Sequence, residues 1–174
     1  MLKTRSIKFQ HECLGLAHHS GNVYITTDTY LHVYNISSGR GRKLYSDKSG
    51  EYTVHRCAVS PDSSRVYITN YTNHQLITLN TNNGSKLSTL THPELQNLCG
   101  IHVTSLEHLF ECCYVLNTVV QVVVKKDGTH SVAPLAGTKE RIIIPQPVCF
   151  NRSTNTIVVG QLKNDTIVEL QLKR

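Results

Sequence analysis

The stretch Val66-Tyr67-Ile68-Thr69 decides how this sequence is interpreted, because the same four residues already occur as Val23-Tyr24-Ile25-Thr26. The second copy begins at position 66, which is 43 residues after position 23. Two weaker copies follow as Leu109-Phe110-Glu111-Cys112 and Ile157-Val158-Val159-Gly160. β-Branched and aromatic residues are typical of strands. The sequence therefore contains four copies of one strand, and this regular spacing indicates a repeat architecture.

Each copy lies inside a longer unit with a common plan. A short apolar strand is predicted before it, at residues 14–17, 57–60, 100–104 and 148–151. A third strand is predicted after it, with a polar residue three positions before an aliphatic one: Asp28 and Leu31, Asn73 and Leu76, Asn117 and Val120, Asn164 and Ile167. Turn glycines follow at Gly39, Gly84 and Gly128, and they precede predicted fourth strands at 42–46, 86–90 and 132–136.

Repeats of this length with several short strands in each are typical of a β-propeller. We therefore predict an all-β propeller of about four blades, each with four antiparallel strands, in a single domain spanning residues 1–174. The repeats are placed at 13–56, 57–99, 100–147 and 148–174. In the segment 4–11, Ile7 and Phe9 alternate with polar neighbours, so this segment is predicted to be the missing fourth strand of the last sheet. Two arrangements stay open: a closed ring of four blades, or an arc of a larger ring.

The composition indicates which partners and which cellular compartment to expect. The net charge is +6 and the pI is near 9.1, which favours acidic partners. No run reaches the roughly 20 apolar residues that a membrane span needs, and the start lacks the apolar stretch of a signal peptide. We therefore expect a cytoplasmic protein without membrane contact. The six cysteines form no C-x-x-C pair, so we interpret them as buried apolar side chains.

The unit that runs from Ser60 to Leu76, with its Asn73-His74-Gln75-Leu76 core, resembles the NHL repeat. Residues 13–172 resemble the C-terminal NHL propeller of tripartite-motif-like proteins, in which RING, B-box and coiled-coil regions precede the propeller. Propellers of this six-bladed, TolB-like family have more blades than this chain. The third unit also departs from the pattern, because Glu111 occupies a strand position expected to be buried, where a carboxyl group is costly. The resemblance implies a module that recognises a partner or substrate, without ligase machinery.

Candidate binding residues lie in the loops of one rim, where propellers commonly bind ligands. We predict partner contacts in the loops between second and third strands from Asp28, Tyr30, Tyr71, Asn73, His74, Tyr114, Asn117 and Asn164. Basic residues of the loops between blades are added to this rim: His55, Arg56, Lys139 and Arg141. Asp and Asn also shape turns by bonding their own backbone, and tyrosines also pack against a core. These alternatives stay open for each residue.

The function predicted from these residues is binding of a protein partner without catalysis. RNA binding through the basic rim is the alternative, because Lys and Arg pair with phosphates. A metal-dependent propeller hydrolase is less favoured. The innermost strands begin with Leu14, Cys57, Gly100 and Val148, none of which is a ligand for a hard cation. We therefore predict no metal, cofactor or catalytic residue. Self-association is expected if the propeller is incomplete.

Overall fold

The computed structural model describes residues 6–125 and 129–172, which form four antiparallel sheets, called blades 1 to 4. Blade 1 consists of β1 (Gly15–His19), β2 (Asn22–Thr26), β3 (Tyr30–Asn35) and β4 (Gly41–Ser46). Blade 2 consists of β5 (Arg56–Val59), β6 (Arg65–Asn70), β7 (Gln75–Asn80) and β8 (Lys86–Thr91). Blade 3 consists of β9 (Leu98–Val103), β10 (His108–Cys113), β11 (Thr118–Val124) and β12 (His130–Ala136). Blade 4 consists of β13 (Pro145–Asn151), β14 (Thr156–Gln161) and β15 (Ile167–Gln171).

Strands that follow one another along the chain are neighbours in every blade. The four copies of the repeated strand are β2, β6, β10 and β14, each second in its sheet. The first strands contact one another in chain order, β1 with β5, β5 with β9 and β9 with β13. Sheets arranged side by side around their first strands make a β-propeller, so the predicted fold class is confirmed.

The hydrophobic core consists of three layers, one between each pair of consecutive blades. Tyr24 of blade 1 packs with Ile68 of blade 2, and both are almost completely buried. Tyr67 and Leu109 belong to the layer between blades 2 and 3, and Phe110 and Ile157 belong to the layer between blades 3 and 4. A middle sheet therefore buries both of its faces, as predicted from its continuous apolar strands.

The predicted turn glycines Gly39 and Gly84 have φ angles of 70° and 73°, a region that glycine enters without steric cost. Gly84 has a second role. A Cβ atom at this position would lie 1.9 Å from the carbonyl oxygen of Leu44, which belongs to blade 1. The missing side chain of Gly84 therefore allows blades 1 and 2 to come into close contact at this turn. Gly128, the third predicted turn glycine, lies outside the described residues.

The predicted closing strand is not formed by residues 6–11, the described part of the segment 4–11. These residues lie instead on blade 1, where the ring of Phe9 is 6.2 Å from that of Tyr34 and the ring of His11 is stacked 4.6 Å from that of His32. The alternation of Ile7 and Phe9 thus serves packing on a sheet face and not strand pairing. Blade 4 is left with three strands.

The two end blades do not cover each other. Leu16 lies on the face of blade 1 that points away from blade 2, and its side chain is 68% exposed. Ile167 lies on the face of blade 4 that points away from blade 3, and it is 66% exposed. A closed ring of four blades would bury both side chains. The described residues therefore form an open arc, the second of the two predicted arrangements.

Glu111 is the most unusual residue of the core. It is fully buried in β10, and neither of its carboxyl oxygens has a hydrogen-bond partner within the described residues. Burial raises its pKa well above the ordinary range. The pairing of β10 with β9 also shifts register between Cys112 and Cys113. The buried carboxyl that the sequence predicts for blade 3 is present, and the strand that carries it is irregular.

Candidate functional site: an aromatic cup on the loop rim

The loop rim is the end of the propeller where second strands finish and first strands begin. In an antiparallel pair these two points are adjacent, so the loop entering each blade meets the loop that follows its second strand. Backbone hydrogen bonds join the two loops. Tyr71 donates its N–H to the carbonyl of Tyr52 at 3.0 Å. Tyr114 donates in the same way to Asn97 at 3.2 Å, and Leu162 donates to Ile144 at 2.9 Å.

This hydrogen bond recurs because the accepting residue has the same backbone conformation in each case. Tyr52, Asn97 and Ile144 have φ angles of 53°, 50° and 49°, in the left-handed region that side chains other than glycine rarely adopt. The left-handed turn points the carbonyl towards the neighbouring loop. Tyr71, Tyr114 and Leu162 therefore occupy equivalent places in blades 2, 3 and 4.

The side chains at these equivalent places converge on one pocket. Its volume is about 300 Å³, and it is lined by Tyr52, His55, Tyr71, Tyr114, Gln146 and Leu162. We call this pocket the aromatic cup. Tyr52 and His55 come from the loop entering blade 2, Tyr114 follows the second strand of blade 3, and Gln146 lies in β13 of blade 4. The cup therefore spans three blades. None of the lining residues carries a permanent charge.

The rings of the cup pack edge to face. The ring centroids are 5.5 Å apart for His55 and Tyr71, 5.8 Å for Tyr52 and His55, and 6.2 Å for Tyr52 and Tyr71. Tyr114 continues the cluster at 6.2 Å from Tyr71. Edge-to-face pairs of this kind contribute about 0.5–1.5 kcal/mol each beyond their buried area. The rings are thus held in place before any ligand binds.

Burial controls the charge of the cup. Burial and the neighbouring Arg56 lower the pKa of His55 to about 4, so its ring is neutral at pH 7. Burial also raises the pKa of Tyr71, which keeps its hydroxyl protonated. The cup therefore offers ring faces, an uncharged imidazole and phenol hydroxyls. This chemistry suits the binding of an apolar or aromatic side chain.

The structure brings together three of the predicted site residues, His55, Tyr71 and Tyr114, and adds Tyr52, which the sequence analysis did not select. Tyr52 is 44% exposed and is the most accessible ring of the cup. The sequence analysis took tyrosines from the loops after second strands, whereas Tyr52 precedes a first strand. Its position three residues before His55, in a loop already assigned to the rim, is the signal that could have identified it.

The predicted Asp and Asn residues hold the rim loops together. The carboxylate of Asp28 accepts a hydrogen bond from the backbone N–H of Tyr52. The side-chain oxygen of Asn117 accepts one from the N–H of Ile144 at 2.6 Å. Asn73 donates from its side-chain amide to the hydroxyl of Ser49 at 3.1 Å, and Asn164 accepts from the backbone N–H of Thr166 at 3.1 Å. These contacts are those of loop-shaping residues.

Two other predicted residues lie outside the cup. The ring of Tyr30 lies below two lysines, with Nζ of Lys43 at 4.5 Å and Nζ of Lys48 at 5.7 Å from its centroid. Nδ1 of His74 accepts a hydrogen bond from the N–H of Asn97 at 3.0 Å. His74 thus supports the loop that positions Tyr114.

The predicted basic residues have different surroundings. Arg56 is half-buried and donates to the backbone carbonyl of Leu14 in blade 1. Lys139 lies in the 3-10 helix Thr138–Glu140 between blades 3 and 4, and Arg141 follows it; both are exposed. Only the latter pair is available to an anionic ligand.

Most of the cysteines are buried and unpaired. All six thiols are free, and burial raises the pKa of Cys57, Cys99 and Cys113 to about 12. Protonated, buried thiols are poor nucleophiles and poor metal ligands. Within residues 6–125 and 129–172, no group of three or more His, Cys, Asp or Glu side chains is placed to hold a metal ion. In the same ranges, no helix has the length and apolar character needed to cross a membrane.

Comparison with known proteins identifies the fold of this chain. No protein-family model matches the chain, and no curated protein matches it significantly. Among solved structures, a chain of the nidogen/laminin complex is similar over 91% of this chain and 60% of its own length, with a TM-score of 0.76 and 15% identity. Virginiamycin B lyase from Staphylococcus aureus is similar over 92% and 55%, with a TM-score of 0.64 and 17% identity. The computationally designed protein Ika4 is similar over 95% and 94%, with a TM-score of 0.58 and 16% identity.

These likenesses establish a β-propeller fold. The chain spans little more than half the length of the nidogen/laminin and lyase chains. Among these similar structures are a protein complex and an enzyme, so the fold alone does not separate binding from catalysis. At 15–17% identity these structures indicate the fold, and the function of this chain depends on the residues of its own site.

Proposed function

We propose that this protein is a non-catalytic module that binds a protein partner, as the NHL propellers of tripartite-motif-like proteins do, and that in this chain the aromatic cup makes the contact. The observation that carries the proposal is the convergence of Tyr52, His55, Tyr71 and Tyr114 on one uncharged pocket of about 300 Å³. Partly exposed tyrosines are typical centres of protein interfaces, because they offer a large contact area and lose little conformational entropy.

The size and chemistry of the cup define the ligand. A pocket of this volume holds one or two side chains and not a folded surface. We therefore propose that the partner inserts an apolar or aromatic side chain from an extended segment. The exposed ring of Tyr52 and the amide of Gln146 lie at the cup, where they can contact the adjoining backbone of that segment. All six thiols are free, which is typical of proteins in the reducing cytoplasm. We therefore propose that the protein acts there.

The proposal is tested by selecting peptides from a displayed random library on the whole chain and measuring their affinity by calorimetry. Tyr71→Ala and Tyr114→Ala are each expected to weaken a selected peptide by about 10-fold or more, the loss expected for a central interface aromatic. Leu106→Ala is the matched control, because Leu106 is 75% exposed and lies in the loop between β9 and β10, at the opposite end of blade 3. This variant is expected to bind normally.

Two outcomes contradict the proposal. Selected peptides that tolerate both tyrosine substitutions would place binding elsewhere on the propeller. Affinity for RNA whose logarithm falls steeply and linearly with the logarithm of salt concentration would instead indicate counterion release from phosphates. In that case Lys139 and Arg141, which are exposed on this rim, would be the residues to change.

A further inference from the structure

Blade 4 exposes a sheet face whose residues resemble those of a buried interface. Cys149, Val158 and Glu169 are paired across β13, β14 and β15, and Ile167 shares their face. The opposite face packs on blade 3 through Val148, Val159 and other apolar residues. We call the first set the outward face of blade 4. Ile167 is 66% exposed on it, and Cys149 and Glu169 are exposed as well.

The same place is buried in the other blades. Ile167 pairs with Gly160, the last residue of the repeated strand copy in blade 4. The residues that pair with the corresponding positions in blades 1, 2 and 3 are Leu31, Leu76 and Val119, which are 0%, 1% and 0% exposed. Each of these three residues belongs to the core layer shared with the next blade. Ile167 therefore points to the position of a further blade.

Blade 1 exposes part of the complementary side. Leu16 pairs with Ile25, Ile25 with His32 and His32 with Lys43, so these four residues share the face opposite to the core with blade 2. We call this set the outward face of blade 1. The middle of this face is already covered, since Ile25 is only 2% exposed and residues 6–11 pack around Tyr34 and His32. Leu16, on the innermost strand, remains 68% exposed.

The two outward faces match each other. In each of the three interfaces within the chain, one blade contributes the face that corresponds to the outward face of blade 4. The next blade contributes the face that corresponds to the outward face of blade 1. The exposed charges are also complementary, since Glu169 is on the third strand of blade 4 and Lys43 is on the fourth strand of blade 1. We propose that a second copy of this chain docks head to tail, with blade 4 of one copy packed on blade 1 of the other.

A head-to-tail contact makes a specific prediction for mixtures, because each copy has two different faces. Ile167→Asp disables only the outward face of blade 4, and Leu16→Asp disables only that of blade 1. In size-exclusion chromatography with light scattering, the unmodified chain is expected at a mass of at least two chains of 19.5 kDa. Each variant alone is expected to be a monomer. An equimolar mixture of the two is expected to give a 1:1 dimer through the remaining intact pair of faces.

Leu106→Asp is the control for added charge, since Leu106 is exposed on neither outward face. Circular dichroism checks that every variant is folded, and Ile167→Ala is a milder variant that keeps the sheet apolar. A monomer of 19.5 kDa at all concentrations would overturn the proposal. So would a single variant that still forms dimers, since that result indicates a symmetric contact. The mass is measured without a peptide ligand, so either result leaves the aromatic cup untested.

Discussion

Glu111 shows what one buried carboxyl does to this propeller. The side chain is enclosed between blades 2 and 3, its pKa is raised by burial, and its oxygens lack partners among the described residues. An unpartnered buried polar group costs about 1–3 kcal/mol. The neighbouring blades must offset this cost by packing. Glu111 is therefore a residue at which a single substitution should increase stability.

We predict that stability falls as the pH rises above about 4.3, the ordinary pKa of a Glu carboxyl, because the unfolded chain then loses this proton and the folded chain keeps it. The fall continues until the pH reaches the raised pKa of the folded state. Urea unfolding between pH 4 and pH 8 measures it. Glu111→Gln is expected to remove this contribution, and Glu111→Leu to be more stable than the unmodified chain at pH 7. An unchanged pH profile in Glu111→Gln would contradict the prediction.

Glu12→Gln is the matched control, because Glu12 is exposed. It is expected to leave the pH profile as it is in the unmodified chain.

The sequence identifies residues of the rim better than it identifies the role of each one. His55 and His74 are both rim histidines, and both were predicted to contact a partner. The structure gives His74 a hydrogen bond to the backbone of Asn97 and places the ring of His55 in the aromatic cup. The difference depends on which loop each ring faces, and that is decided by residues distant in the sequence, such as Tyr71 for His55 and Asn97 for His74. A local motif carries no such information.

Among the elements, the turn after β7 depends most on a single residue. Gly84 combines a φ of 73° with an approach that would place a Cβ atom 1.9 Å from the backbone of Leu44. Leu44 is buried in β4, so its backbone has little room to move, and both the turn and the contact between blades 1 and 2 require glycine.

We predict that Gly84→Ala destabilises the protein by at least about 2 kcal/mol more than Gly21→Ala does. Gly21 is the matched control, because its φ is 76° but nothing lies within 4 Å of a Cβ atom there. The backbone strain is thus common to both variants, and the difference reports the clash with Leu44. Urea unfolding midpoints provide the measurement, and equal midpoints would show that the strand of Leu44 yields.

The strands were predictable because their apolar residues repeat four times, and each repeat supports the others. The residues at which first strands begin are harder to predict from the sequence. For example, β13 begins at Pro145, three residues before the predicted start at Val148. Proline lacks a backbone N–H, which argues against a strand in sequence. The innermost strand of a blade has a neighbour on one side only, so Pro145 and Pro147 are tolerated there.

For the whole molecule, the blades are also tied by polar contacts at their surfaces. Nη2 of the Arg65 guanidinium in blade 2 donates to both carboxylate oxygens of Glu107 in blade 3 at 2.9 Å. Arg42 of blade 1 donates to the backbone carbonyl of Asn82 after β7, at 2.6 Å. These contacts restrain blade 2 against both of its neighbours beyond the edges of the hydrophobic core layers.

We predict a coupling of about 0.5–1 kcal/mol between Arg65 and Glu107, the value expected for a partly exposed ion pair. The measurement is a double-mutant cycle of Arg65→Met and Glu107→Gln by chemical unfolding. The coupling is expected to decrease in high salt, because both side chains are partly exposed. A coupling near zero at low salt would mean that the core layers alone hold blades 2 and 3 in place.

The choice between ring and arc lay beyond the sequence for a physical reason. Alternating Ile7 and Phe9 satisfy either a strand or a segment lying on a sheet, since both require one apolar side. The closing strand also depends on a contact between the two ends of the chain, for which no local pattern exists. The structure places Phe9 on blade 1 through the ring of Tyr34.

The recurring hydrogen bond of the loop rim has an evolutionary consequence. Tyr71, Tyr114 and Leu162 are each anchored by their backbone N–H, so the side chain at these places is not needed for the anchor. One residue per blade can be exchanged while the loops keep their shape. Ligand preference in this propeller can therefore diverge by single substitutions at these positions, without a compensating change in the rest of the fold.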